Sequence, residues 1–163
     1  VSIIQSFVTT ENINETLQRY GAAGDIDLLS IDIDGNDYWV WQAIEAVSPR
    51  VLVIEYNAAL GPDLSWAIPY RPDFNRWRAH PSGFYFGASL NALTNLATER
   101  GYTLVACESS GANAFYVRND ALSGQISGIT PRQAHKYLAS PALRGVSPLQ
   151  QFEIIKGLPW VEV

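Results

Sequence analysis

Asp32 and Asp34 stand two residues apart at the downstream end of the apolar run Asp27 to Ile33 (DLLSIDI), and Glu55 and Asn57 stand two apart at the end of the next such run, Val51 to Tyr56 (VLVIEY). In a β-strand the side-chain period is two, so each pair projects to one side. A carboxylate on a dry strand needs a cation, a basic partner or a set of hydrogen-bond donors. Open α/β sheets place their ligands beyond the carboxyl ends of the strands. Two neighbouring strands would therefore aim four oxygen-bearing side chains at one crevice. Asp32 or Asp34 could there take a proton from a substrate hydroxyl. Together, Asp32, Asp34, Glu55 and Asn57 form a candidate all-oxygen site for a hard divalent cation such as Mg²⁺. A purely structural reading stays open: Asp34 caps the following helix, Asp32 pairs with a basic side chain, and Glu55 accepts backbone hydrogens.

His80 is a second candidate general base, against the plainer reading of a surface histidine in a loop. His80 and His135 have no neighbours at zinc-ligand spacing. No G-x-S-x-G, G-x-G-x-x-G or G-x-x-x-x-G-K-[ST] occurs, so neither a hydrolase nucleophile turn nor a phosphate-cradling loop is visible. Cys107, the single cysteine, reads as a core thiol in a reducing, cytoplasmic setting.

The elements that position these groups read as alternating strands and helices, the pattern of an α/β domain. Val1 to Val8 predicts a strand. Asn12 and Glu15 predict a capping box for a helix that Gly21 stops. The strand Asp27 to Ile33 precedes a helix from about Asp37 to Val47 that Pro49 ends. Val51 to Tyr56, apolar almost throughout, predicts a central strand covered on both faces. Asn57 to Ala88 then breaks the period, and Trp66, Tyr70, Phe74, Trp77, Phe84, Tyr85 and Phe86 make it a structured lid-like insertion. Its Trp77 and Tyr85, with Asn36, Tyr56 and Asn57 at the strand ends, are candidate substrate contacts, and Arg71, Arg76 and Arg78 could meet an anionic group. Ser89 caps the next helix, Tyr102 to Glu108 and Ala114 to Arg118 predict an antiparallel hairpin, and Thr130-Pro131 and Ser147-Pro148 open two short helices.

The 163 residues carry 11 Lys+Arg against 16 Asp+Glu, a net charge of −5. No cationic stripe offers itself to nucleic acid or to an anionic membrane. No apolar run approaches the roughly 20 residues that span a bilayer. With no methionine, the chain reads as a fragment of a longer protein.

The stretch Asp27 to Trp41, DLLSIDIDGNDYWVW, together with Arg50 to Asn57, RVLVIEYN, resembles the FkbM-like S-adenosylmethionine-dependent methyltransferases. The likeness covers about Val1 to Arg118. It implies a Rossmann-like methyltransferase sheet over residues 1–120, mostly parallel with a terminal antiparallel hairpin and incomplete at its N-terminus, with 57–88 as an insertion and 121–163 as a helical extension. It also implies S-adenosylmethionine as cofactor, with Thr9, Glu11, Asn12 and Asp32 near it, and O-methyl transfer to a hydroxyl of a sugar or other small molecule. The glycine-rich cofactor loop would lie outside this chain, the piece alone would be inactive, and the open sheet edge would invite self-association. Two alternatives compete. Asp32-Ile33-Asp34 also resembles the D-x-D element of metal-dependent glycosyltransferases, and the lid could belong to a non-catalytic binding module.

Overall fold

A computed structural model describes residues 3–139 and 145–163. Its centre is a four-stranded sheet in the order β1-β2-β5-β4, built from β1 (Gly24–Ile31), β2 (Val47–Glu55), β4 (Tyr102–Cys107) and β5 (Asn113–Arg118). β1 and β2 are parallel, while β5 runs antiparallel to both β2 and β4. The fold is thus α/β with a mixed sheet. The expected mostly parallel pairing is corrected to one parallel and two antiparallel pairings, because β5 enters between β2 and β4. By direction, β1, β2 and β4 still point the same way.

Around the sheet lie α1 (Ile13–Arg19), α2 (Asp37–Ala43), α3 (Arg76–Ala79), α4 (Leu90–Glu99), α5 (Pro131–Ala134) and α6 (Pro148–Ile155). α4, α5 and α6 begin as their signals foretell: Ser89 accepts from the Ala92 amide, and Thr130/Gln133 and Ser147/Gln150 form capping boxes. The Asn12 capping box does not form. Its side chain instead binds the preceding loop, accepting from Thr9 N at 2.9 Å and donating to the Phe7 carbonyl at 2.8 Å. α2 stops at Ala43, four residues before the expected end, because Val47 already pairs with Gly24 and Pro49 is drawn into β2.

Of the expected first strand, Val1 and Ser2 lie outside the described residues, and 3–8 form no strand. Their backbone has no ladder to join, and Ile3 and Phe7 are exposed. Among the described residues β1 pairs only with β2, so its outer edge carries unpaired amides and carbonyls there, with Leu28 58% exposed beside them. β2 alternates: Leu52 and Ile54 are fully buried, while Val51, Val53 and Glu55 on the opposite face are only partly covered. Glu55 therefore sits on the less protected face, and the expected two-sided burial holds on one side.

The main core joins this sheet to α2 and α4 through Trp41, Leu52, Ile54, Leu93 and Tyr116. A second core unites the insertion with the tail. Ile68 and Tyr85 pack with Ile155, Phe152 and Trp160, Trp66 stacks on Trp160, and β3 (Trp66–Ala67) pairs with β6 (Val161–Glu162). The aromatic insertion is thus a packed layer that the tail clamps to the sheet. Among the described residues no helix is long and apolar enough to cross a membrane.

Candidate active site

β1 leaves the sheet at Ile31, so Asp32 lies just past the last ladder pair, Ile31 with Ile54. Two residues on, Asp34 adopts a left-handed backbone with φ 57°, the only non-glycine residue among those described to do so. Aspartate tolerates that region better than most side chains, and such conformations gather at functional sites. Asp37 ties the turn together. Fully buried, it accepts hydrogen bonds from Ile33 N at 3.0 Å and Gly35 N at 2.9 Å. Burial raises its pKa, and the two amides oppose that rise. Asp34 does not cap the helix as expected: the N-cap position is Asn36, without a side-chain cap hydrogen bond, and Asp37 at the first helical position braces the turn before it. Gly35 is fixed by the insertion above it, since an added β-carbon would stand 2.2 Å from the Phe74 ring.

From that insertion α3 lowers Arg76 onto the strand ends. Its Nε and Nη2 donate to the Gly83 carbonyl at 3.0 and 2.8 Å. Nη1 is hydrogen-bonded to Asp34 and stands 3.8 Å from Glu55 Oε1. The guanidinium lies over the Phe86 ring at 3.9 Å. Gly83 is required here on two counts: its φ is +69°, and the Trp77 ring packs 2.5 Å from where a β-carbon would go.

Glu55, like Asp37, is a perturbed carboxyl. Its side chain is 14% exposed, and its Oε2 is buried without a hydrogen-bond partner. Burial, then the nearby Asp37 and Asp32 charges, push its pKa up to about 8, with Arg76 pulling the other way. At 3.8 Å the guanidinium is too far for a hydrogen bond, and three of its five N–H groups are engaged by Asp34 and Gly83. Arg76 bonds Asp34 and only approaches Glu55, whose buried, unsatisfied oxygen and raised pKa favour the protonated form near neutral pH.

The four-residue cation set does not assemble. Asn57 is turned into the fold, where Nδ2 donates to Phe84 O at 2.8 Å and Phe86 O at 2.9 Å, and Oδ1 accepts from Ala59 N at 3.1 Å. Asp34 is held by Arg76 and Glu55 is dry. Among the described residues no group of three or more His, Cys, Asp or Glu side chains could hold a metal ion. The residues present do not fit a bound divalent cation; an arginine occupies the position a cation would take.

A cavity of about 260 Å³ opens beside this cluster, lined by Asp34, Asn36, Phe74, Arg76, Trp77 and the N-terminal Phe7 among others. Asp34, Asn36 and Trp77 thus line one cavity. Asn36 is 5% exposed; it donates to Arg71 O at 2.8 Å, and its Oδ1 has no partner. Tyr56 and Tyr85 are elsewhere. The Tyr56 hydroxyl is buried against the Lys136 backbone, and Tyr85, in the second core, donates to Pro159 O. His80 bonds to Ser82, 2.8 Å from its Nδ1, and does not line the cavity. Asp32 is exposed at the rim, close enough to raise the pKa of Glu55 and Asp37.

The loop of Thr9, Glu11 and Asn12 is bound to the insertion rather than left open. The Tyr70 hydroxyl donates to Glu11 at 2.6 Å and holds that exposed carboxyl down at about 2. The side chains of Glu11 and Asn12 are consumed within the loop region. At about 260 Å³ the cavity falls below the roughly 300–1,000 Å³ of ordinary ligand clefts. These residues fit one ring-sized group, not a complete S-adenosylmethionine.

Arg76 stands out in the sequence only as one of three arginines, and its choice of Asp34 depends on the insertion folding back over β1. The weight on Asp37 had a local signal, an acidic side chain two residues after a glycine in a strand-to-helix turn. Compared with family models, with curated proteins and with solved structures, the chain matches none of them.

Proposed function

We propose that the rim at the carboxyl ends of β1 and β2 is the acceptor side of a Rossmann-like, S-adenosylmethionine-dependent methyltransferase of the FkbM-like kind. It would transfer a methyl group to a hydroxyl of a sugar or other small molecule in the cytoplasm, where Cys107 stays reduced. The observation that carries the reading is the sheet: β1, β2 and β4 share a direction, β5 is the last of its four strands in chain order and is reversed, and the acidic turn of the resemblance lies at the end of β1 beside an open cavity.

The cofactor, when bound, supplies an electrophilic methyl group, and the reading places its glycine-rich loop outside these residues. The work left to this chain is to seat the acceptor and remove its proton. Asp34 is the group for the proton: it lines the cavity, and Arg76 fixes its carboxylate. Phe74 and Trp77 wall the ring and exclude water. With Glu55 protonated, Asp34 is the one carboxylate that the guanidinium bonds, beside the Gly83 carbonyl. Asp32, at the rim, is the second candidate base.

The test is methyl transfer from labelled S-adenosylmethionine by the complete polypeptide. Asp34→Asn, isosteric and at home in the left-handed region, should lower kcat by roughly 10²–10⁴. Unchanged turnover in both Asp34→Asn and Asp32→Asn removes them from the chemistry, and failure of the complete polypeptide to bind S-adenosylmethionine sinks the reading.

A further inference from the structure

Behind the wall formed by Phe74 and Asn75 lies a second cavity of about 280 Å³, lined by Arg71, Asp73, Phe74, Asn75, Arg78 and Ala79. We propose that it is an anion-binding site for the phosphate group of a small-molecule ligand, held between Arg71 and Arg78.

Both arginines are anchored at the backbone. The Arg71 carbonyl accepts from the Asn36 side chain at 2.8 Å and from Phe74 N at 3.0 Å. The Arg78 amide is capped by Asn75 Oδ1 at 3.0 Å and also bonds to Asn75 O at 3.1 Å. Their backbones along the cleft are therefore fixed before any ligand arrives, and the exposed side chains are what a ligand would order. Among the described residues Arg78 has no acidic side chain within ion-pairing distance, and Arg71 has only Asp73, at 3.6 Å with both side chains largely exposed. Arg76 faces away, onto Asp34 and Gly83.

Asp73 identifies the ligand's charge. Asp73 lines the same cavity, and its carboxylate, 3.6 Å from Arg71, is a weak internal stand-in that leaves Arg78 without an acidic partner among the described residues. A phosphate dianion balances both arginines and offers oxygens to two forked donors, whereas a carboxylate balances one and competes poorly with Asp73. Nucleic acid does not suit the site, since a single pocket on a chain of net charge −5 gives no track for a polymer backbone. The site stands independently of the proposed methyl transfer, and neither Asp34 nor Glu55 belongs to it.

The experiment is titration of the protein with inorganic phosphate and with acetate at low ionic strength, read by calorimetry and by ³¹P line broadening. Phosphate should bind saturably and more tightly than acetate. Arg78→Gln should weaken phosphate by about tenfold or more, and Asp73→Asn should strengthen it several-fold by removing the internal competitor. Arg50→Gln, remote on β2 and paired with Asp27, should leave it unchanged. No saturable phosphate binding, equal binding by acetate, an Arg78→Gln protein that binds as the parent does, or no gain in Asp73→Asn each overturns the proposal. Since Arg78 and Asp73 are exposed, all three variants should keep the parent circular dichroism. Phosphate binding that survives Asp34→Asn separates this site from the crevice.

Discussion

Replacing Glu55 by Gln should change how stability depends on pH more than it changes stability itself. In the unfolded chain this carboxyl ionises near 4.5, and in the fold near 8. Between those values the folded protein holds one more proton than the unfolded chain, so Glu55 makes stability fall as pH rises. Each pH unit in the window is worth about 1.4 kcal/mol, so the full penalty above pH 8 is about 5 kcal/mol. Part of it is recovered if ionised Glu55 draws Arg76 closer than 3.8 Å, which leaves about 2 kcal/mol as a floor. Gln has the same shape and stays neutral throughout. The two proteins should therefore unfold alike near pH 5, and at pH 9 the Gln variant should be more stable by about 2–5 kcal/mol. That is a rise in urea midpoint on the order of 1 M.

The assay is equilibrium urea unfolding of both proteins from pH 5 to pH 9, taken as the difference between them. His135, whose pKa burial lowers, contributes equally to both proteins and cancels in the difference. Carboxyl ¹³C resonances of labelled glutamate give the independent check, with one glutamate titrating near 8. Parallel stability profiles, or a Gln variant that is weaker at pH 9, would refute the claim that burial and neighbouring carboxylates keep Glu55 protonated.

Three further outcomes follow from the packing. Gly35→Ala should cost about 1–3 kcal/mol, since the new methyl group meets Phe74 at 2.2 Å and the insertion must shift; thermal unfolding reads the loss. Asn57→Ala should cost about 2–4 kcal/mol by leaving the Phe84 and Phe86 carbonyls and the Ala59 amide without their partner. Retained stability there would refute a structural Asn57. The open β1 edge should support self-association that Leu28→Lys abolishes, as measured by light scattering against concentration; a monomeric parent protein at high concentration would sink that expectation.

What was legible in the sequence is what depends on neighbours along the chain. The Ser89, Thr130 and Ser147 caps need only the residues three positions on, and the β4–β5 hairpin needs only two apolar runs and a short turn. Ladder registers are not local, and the differences sit there. β1 begins at Gly24 and ends at Ile31 because β2 begins at Val47, and that shift alone moves Asp32 and Asp34 off the strand and into a turn. A period-two argument places four oxygen donors on one side only if the strand reaches them. Once it stops short, the backbone is free to turn left-handed at Asp34, and its carboxylate is released to meet an arginine from 42 residues downstream. Asn57 differs for the same reason: after β2 ends at Glu55, its amide is captured by the Phe84 and Phe86 carbonyls of the insertion. The candidate site is therefore a product of where two strands end and where the insertion returns. It sets an arginine-held carboxylate beside a buried carboxyl of raised pKa, and that arrangement leaves no group of three or more His, Cys, Asp or Glu side chains for a metal ion among the described residues.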